Sequence, residues 1–361
     1  WNDYKKVFHE IIPQTLDSLL PKEKNIYWSS SPSIGWGRKE SLTQGDVHYW
    51  GVWWGKEPFE IYEKKVGRFV SEYGFQGIPN LETLQKVMNK QDLNFTSEAF
   101  KNHQKHPTGY ETINEYMERD YVVPKDFEDY AYVSQLLQAR GMKIAIEAHR
   151  RAKPYCMGTL YWQLNDCWPV TSWSSLDYYG NWKAFHYQVK QSFENVLLSV
   201  EEESNKYEVF LVNDSFEKQS GKLELEFLSF DGKSFWKTSK EITVGENSST
   251  IIYEIPKTEF EKFDLKNSVL YIRFNQVESN YFFGKPKDLK LSKPNIQIRN
   301  IDEFTIEISS DVLAKNVFLS SENEVFFEDN YFDLLANEKR IIKLSKAAKE
   351  IKGKSLFDVM E

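Results

Sequence analysis

The stretch RFVSEYGFQGIP, residues 68–79, decides how the whole chain is read. A short apolar run, Phe69 and Val70, ends in a carboxylate, Glu72, and the aromatic, glycine and proline residues behind it stop a strand and force a turn. In a (β/α)8 barrel the reacting groups stand at the C-terminal ends of parallel strands, so residues 68–72 read as such a strand with Glu72 at its tip. The alternative for a single strand-end glutamate is an edge residue facing water. The segments on either side choose between the two.

Upstream, apolar residues recur at helical spacing over residues 2–20, and residues 25–29 read as a strand. GDVHYW (residues 45–50) gives a short strand at 47–50, and a helix over 59–67 feeds the 68–72 strand. Alternation of this kind predicts a parallel sheet. Downstream come a helix at 81–88 and a long irregular region with polar turns around 103–109. The strongest helix follows at 126–152, with Tyr130, Val133, Leu137, Ile144 and Ala148 as its apolar stripe. A buried-looking strand ends at Trp162, and a last helix spans 182–193. From about residue 199 the pattern changes to alternating strands such as KYEVFLVND and GKLELEFLSF, as in an antiparallel sandwich. A second group of strands begins after Lys285-Pro286, and residues 346–361 read as a helical ending. The domains predicted are 1–199, 200–285 and 286–361.

The chain of 361 residues carries a net charge of -8 and no apolar run of membrane-spanning length. Without basic patches to neutralise phosphates, neither nucleic acid nor an anionic membrane is an expected partner. HExxH, Walker A, GxSxG, CxxC and dinucleotide glycine motifs are absent from the sequence, so no metal or cofactor is expected. Cys156 and Cys167, in an extended segment, would lie too far apart for a disulfide.

Aromatic residues make up 16% of the chain, and ten of the eleven Trp precede residue 200. They cluster after the predicted strands: Tyr49, Trp50, Trp53 and Trp54; Tyr73 and Phe75; Tyr161, Trp162, Trp168 and Trp173. Flat aromatic faces beside carboxylates suit a sugar, which has an apolar C–H face and a rim of hydroxyls. The bland alternative is that these rings fill a core.

The runs SSPS (30–33), GDVHYW (45–50), RFVSEYGFQGIP (68–79) and GTLYWQLNDCWP (158–169), in this order, resemble the C-terminal half of a glycoside hydrolase family 2 β-mannosidase. The resemblance continues through WSSLDYYGNWKAFHY (173–187) and FEDNYFDLL (327–335). It implies a multidomain α/β plus all-β chain: strands five to eight of a (β/α)8 TIM barrel, then two immunoglobulin-like β-sandwich domains. It also implies a retaining, exo-acting enzyme of carbohydrate metabolism that removes non-reducing terminal β-D-mannose from β-mannosides or manno-oligosaccharides. Glu72 matches the nucleophile that forms the covalent glycosyl-enzyme. Trp162 matches the sugar-platform tryptophan. Tyr49, with His48 and Trp50, falls where strand six ends, and its phenol is placed to hydrogen-bond the nucleophile. Asp46 and Asp166 are further substrate-binding candidates, with turn or supporting roles as the alternative.

The family's acid/base glutamate lies in a GNNE-type motif that this sequence lacks. The expected partner is therefore the missing N-terminal half of the enzyme, and the chain alone is expected to be inactive. Other readings are a different family 2 specificity, such as β-galactosidase or β-glucuronidase, and a noncatalytic carbohydrate-binding fragment. Such enzymes fit a periplasmic or secreted bacterial setting, or a lysosome in a eukaryote.

Overall fold

A computed structural model describes residues 1–20 and 27–360. The chain begins with a helical segment, Asn2–Lys5, Lys6–Ile11 and Ile12–Leu19, whose middle part is π-helical and which buries no residue. Asn25 and Ile26 of the expected first strand lie outside the described residues, and Tyr27–Ser29 form no strand.

Strand β1 (Val47–His48) pairs in parallel with β2 (Val70–Glu72), with His48 opposite Glu72. The predicted strand ending at Trp162 is reduced to a parallel bridge between Val70 and Thr159. Backbone bonds nevertheless run in sequence across all three segments. Val47 N donates to Phe69 O (2.9 Å), Tyr49 N to Glu72 O (2.7 Å), Val70 N to Gly158 O (2.9 Å) and Trp162 N to Tyr73 O (2.7 Å). Where the pattern predicts four barrel strands, the described residues thus hold two strands and one bridge. Each is only long enough to exchange a few bonds with its neighbour.

This short array is held from behind by the helix Phe127–Arg151, with Asp126 as N-cap. The predicted apolar stripe packs inward, Ile144 only in part. Polar residues of the same helix fix the turn after Glu72. Ser134 Oγ accepts from Ile78 N (3.1 Å), and Gln138 Nε2 donates to Phe75 O (2.8 Å). The buried Lys183 Nζ donates to Gly77 O and Ser174 O, both at 2.8 Å, tying that turn to the loop beyond Trp162. Burial pushes the Lys183 ammonium down to about 7, against the pull of Asp166 and Asp177. The helix Gly109–Asp120, which the sequence reading passes over, buries Ile113, Tyr116 and Met117 against the same core.

Two β-sandwiches follow. In the first, β3 (Val196–Glu202), β4 (Lys206–Asn213) and β7 (Ser248–Pro256) form one sheet in the order β3-β4-β7. The second sheet has the order β6-β5-β8-β9, from β5 (Gln219–Ser229), β6 (Ser234–Val244), β8 (Ser268–Phe274) and β9 (Val277–Phe282). Alternation along β5 places Leu223, Leu225 and Phe227 inside, while Glu224 and Glu226 face out to Arg273 and Lys237.

The smaller sandwich comprises β10 (Gln297–Asp302), β11 (Thr305–Ser309) and β14 (Lys339–Lys343) facing β12 (Ala314–Ser320), β13 (Phe332–Leu334) and β15 (Lys352–Lys354). The predicted helical ending is overturned. Residues 352–354 pair with β12, and only a short 3-10 turn, Leu356–Val359, follows, with Leu356 and Val359 buried in the large core.

Candidate active site

The parallel register brings the ends of β1 and β2 level, and it is this that joins His48 to Glu72. His48 Nδ1 lies 2.6 Å from Glu72 Oε2, and both side chains are about a fifth exposed to solvent. An imidazole N–H at that distance donates to the carboxylate and fixes its rotamer. Glu72 Oε1 has no hydrogen-bond partner among the described residues. The other face of the imidazole looks toward Asp46, with Nε2 at 3.9 Å from Asp46 Oδ2 and 3.2 Å from Ser31 Oγ.

Asp46 is itself held by donors. Ser31 Oγ (2.5 Å) and Ser71 Oγ both reach Oδ2, and Trp28 Nε1 reaches Oδ1 at 3.0 Å. Partial burial works to raise its pKa, but the hydrogen bonds from Ser31, Ser71 and Trp28 prevail and hold it below the usual carboxylate range. Asp46 is thereby kept as an anion facing His48. Ser31 belongs to the SSPS run and Ser71 immediately precedes Glu72. Their hydroxyls carry no signal in a sequence until the register places them beside Asp46.

Trp162 stands at the end of the third segment, 46% exposed, its amide bonded to Tyr73 O. Gly74 makes room for this approach: a Cβ there would lie 2.1 Å from Trp162 O. His48, Glu72 and Trp162 therefore share one edge of the array.

Three of the predicted site residues are placed differently. Tyr49 is 1% exposed, and its phenol donates to Glu57 Oε2 rather than to Glu72. Side chains alternate along a strand, so if His48 faces Glu72 its neighbour Tyr49 faces the other way. Burial, then the Glu57 carboxylate, pushes the Tyr49 phenol far up. Trp50 packs edge-on to Trp173, with ring centroids 6.1 Å apart. Asp166 is buried, with Lys105 Nζ at 2.7 Å, Ser172 Oγ at 2.6 Å and Ser174 Oγ at 2.5 Å, so its acceptors are taken up in closing the loop beyond Trp162.

Comparison with known proteins places this geometry in context. The mannosidase Ig/CBM-like domain model matches residues 205–288, and an Ig-fold domain model matches residues 291–359. β-Mannosidase B of Aspergillus niger is 27% identical over 97% of this chain and 45% of its own length. β-Mannosidase A of Aspergillus terreus is likewise 27% identical, over 89% of this chain and 40% of its own. The crystal structure of the β-D-mannosidase from Dictyoglomus thermophilum matches with a TM-score of 0.86 and 32% identity, covering 97% of this chain and 44% of that one. The exo-chitosanase of Amycolatopsis orientalis, 15% identical with a TM-score of 0.63 over 83% of this chain and 45% of that one, shares the fold alone. This chain spans less than half the length of the curated relatives named here. Its sequence, its fold and its two immunoglobulin-like domains together identify it as a homologue of the β-mannosidases of glycoside hydrolase family 2.

Proposed function

We propose that the chain carries the nucleophile side of a retaining, exo-acting β-mannosidase. In this reading residues 1–199 are the C-terminal half of a (β/α)8 barrel, and residues 200–285 and 286–361 are its two accessory sandwiches. The observation that carries the proposal is the grip of His48 on Glu72 at the edge where the parallel segments end, with Trp162 exposed beside it. Glu72 Oε1 attacks the anomeric carbon of a terminal β-mannoside while the bond to the leaving oxygen breaks, and the glycosyl-enzyme is then hydrolysed by water. His48 holds Oε2 during attack, and Asp46 stabilises any positive charge on the imidazole. Trp162 offers the platform for the sugar. The acid that protonates the leaving oxygen, and later activates water, comes from polypeptide outside this chain, the N-terminal portion that the relatives possess.

The names of the relatives favour mannose over other family 2 sugars. The pairing of Glu72 with His48 rather than with a second carboxylate favours binding without turnover when the chain is alone. Trapping of the complete enzyme with a 2-fluoro mannoside, followed by peptide mass spectrometry, should label Glu72, and a label on any other carboxylate overturns the assignment. The 361-residue chain by itself should leave a nitrophenyl β-mannoside unhydrolysed.

A further inference from the structure

Two of the sequence runs quoted above, residues 173–187 and 327–335, take no part in the candidate active site, yet they meet. Together with residues 80–82, the long helix and β12 they line a cavity of 560 Å³ between the α/β part of the chain and the small sandwich. Its volume lies within the range of about 300–1,000 Å³ typical of small-molecule sites. None of His48, Glu72 and Trp162 lines it.

The walls are aromatic and rigidly set. Trp182 packs edge-on against both Tyr187 and Phe326 with ring centroids 5.0 Å away, and Phe318 stacks on Tyr331 at 4.9 Å. Tyr187 is fixed by its phenol, which donates to Phe327 O at 3.0 Å. Trp182 O accepts from Asn80 Nδ2, and Asn80 Oδ1 from Gln135 Nε2. Phe326 remains 42% exposed in this otherwise packed cluster.

The polar groups left over are mostly acceptors. Among the described residues neither the Glu82 nor the Glu128 carboxylate has a hydrogen-bond or ion-pair partner, and both residues line the cavity. Two lysines line the cavity: Lys354 is engaged by Asp129, and Lys346 has no hydrogen-bond or ion-pair partner among the described residues, while Lys86, which faces the lining carboxylate Glu324, is paired with it at 2.7 Å. A single unpaired ammonium, Lys346, on a wall that also carries the carboxylates of Glu82, Glu128 and Glu324 makes a poor cradle for an anion. The lining offers flat rings and free carboxylate oxygens, which is the complement of a ligand with apolar C–H faces and many hydroxyl donors.

We propose that this cavity is a second carbohydrate site, in which Phe326 and Trp182 stack on a neutral saccharide while Glu82 and Glu128 accept hydrogen bonds from its hydroxyls. That the saccharide is a manno-oligosaccharide rests on the function proposed above.

Calorimetric titration of the 361-residue chain with β-1,4-mannotriose tests both levels, with cellotriose and tetramethylammonium as comparators. The expected result is that Phe326→Ala and Glu128→Gln each weaken mannotriose binding at least tenfold, while Trp162→Ala leaves this binding event unchanged. Phe326 and Glu128 are not core residues, so circular dichroism and melting of both variants should match the parent. If cellotriose binds in place of mannotriose with the same dependence on Phe326 and Glu128, the cavity stands and the mannoside reading falls. Loss of binding in Trp162→Ala with no effect of the other two substitutions overturns the proposal. So does binding of tetramethylammonium alone, or of none of the three.

Discussion

The proposed role of Glu72 asks for one carboxylate oxygen held and the other free, and a single residue step along a strand is what provides the hold. His48 and Glu72 are register partners, so the imidazole reaches Oε2, while Tyr49, one step on, is turned into the core against Glu57. Glu72 and Trp162 end short apolar segments in the sequence, whereas His48 lies between Val47 and Tyr49 and only the register sets it opposite Glu72. The direction of Tyr49 could not be read from the sequence, because strand phase depends on which partner sits opposite. A second residue-scale consequence lies behind the site. His149 is buried, its Nδ1 2.8 Å from Thr159 Oγ1 and its Nε2 without a partner among the described residues, and burial, with the Arg151 charge adding, lowers its pKa to about 3 from an ordinary 6.5. Between these two values the unfolded chain binds a proton that the folded chain does not. Stability from this group is thus full above pH 6.5 and falls as the medium is acidified, by about 1.4 kcal/mol per pH unit. His149→Phe, which keeps an aromatic ring against Tyr73, should flatten the acid limb of a stability-against-pH curve by that slope. An unchanged slope would show that His149 is not buried neutral. Gly74 gives a third test. In Gly74→Ala the new methyl meets backbone, Trp162 O, which cannot swing aside, so a loss of about 1–3 kcal/mol in denaturant unfolding is expected.

At the scale of elements, what was legible depends on where each element's information lies. The sandwich strands carry theirs within themselves, as the inside Leu223, Leu225 and Phe227 and the outside Glu224 and Glu226 of β5 show. The short parallel segments carry little, and their extent is set by neighbours. The predicted strand before Trp162 accordingly survives as one bridge. The helix Gly109–Asp120 is faint in the sequence for another reason. Its buried Ile113, Tyr116 and Met117 are spaced correctly but are few, and Pro107 and Gly109 at its start resemble a turn. The long helix is legible from its stripe, and the structure adds Asp126 as its cap, whose carboxylate accepts from Glu128 N at 2.9 Å and Asp129 N at 3.2 Å. Asp126→Ala should therefore cost about 1 kcal/mol, with Asp126→Asn recovering most of it. The urea midpoints of the two variants measure the difference. Because Ser134 and Gln138 of this helix fix the turn after Glu72, a frayed N-terminus is felt at the site only if fraying passes the second turn.

At the scale of the molecule, the α/β part and the sandwiches are joined by specific polar contacts. Tyr132 phenol donates to Asn316 O at 2.6 Å, Lys285 pairs with Asp120 at 2.8 Å, and Arg151 donates to Ser199 Oγ at 2.7 Å. Elsewhere in the α/β part apolar residues stand exposed among the described residues. The helical segment at the start of the chain buries no residue and leaves Val7, Phe8, Ile11 and Leu19 exposed, and Leu160 and Leu164 are exposed beside Trp162. Scattered apolar residues on a surface are ordinary, but an amphipathic helix with its apolar face open is a docking surface or an aggregation site. The function proposed above assigns this face to the N-terminal portion of the enzyme, and the assignment has a measurable consequence. The 361-residue chain should associate as its concentration rises in sedimentation velocity runs, and Phe8→Glu with Ile11→Glu should return it to a monomer without loss of sandwich β-structure by circular dichroism. Added polypeptide matching the first half of a β-mannosidase relative should suppress self-association by the parent chain and form a one-to-one complex with it, and the double variant should fail to pair. A parent chain that stays monomeric at every concentration and ignores the added half would remove the basis for treating this face as an interface.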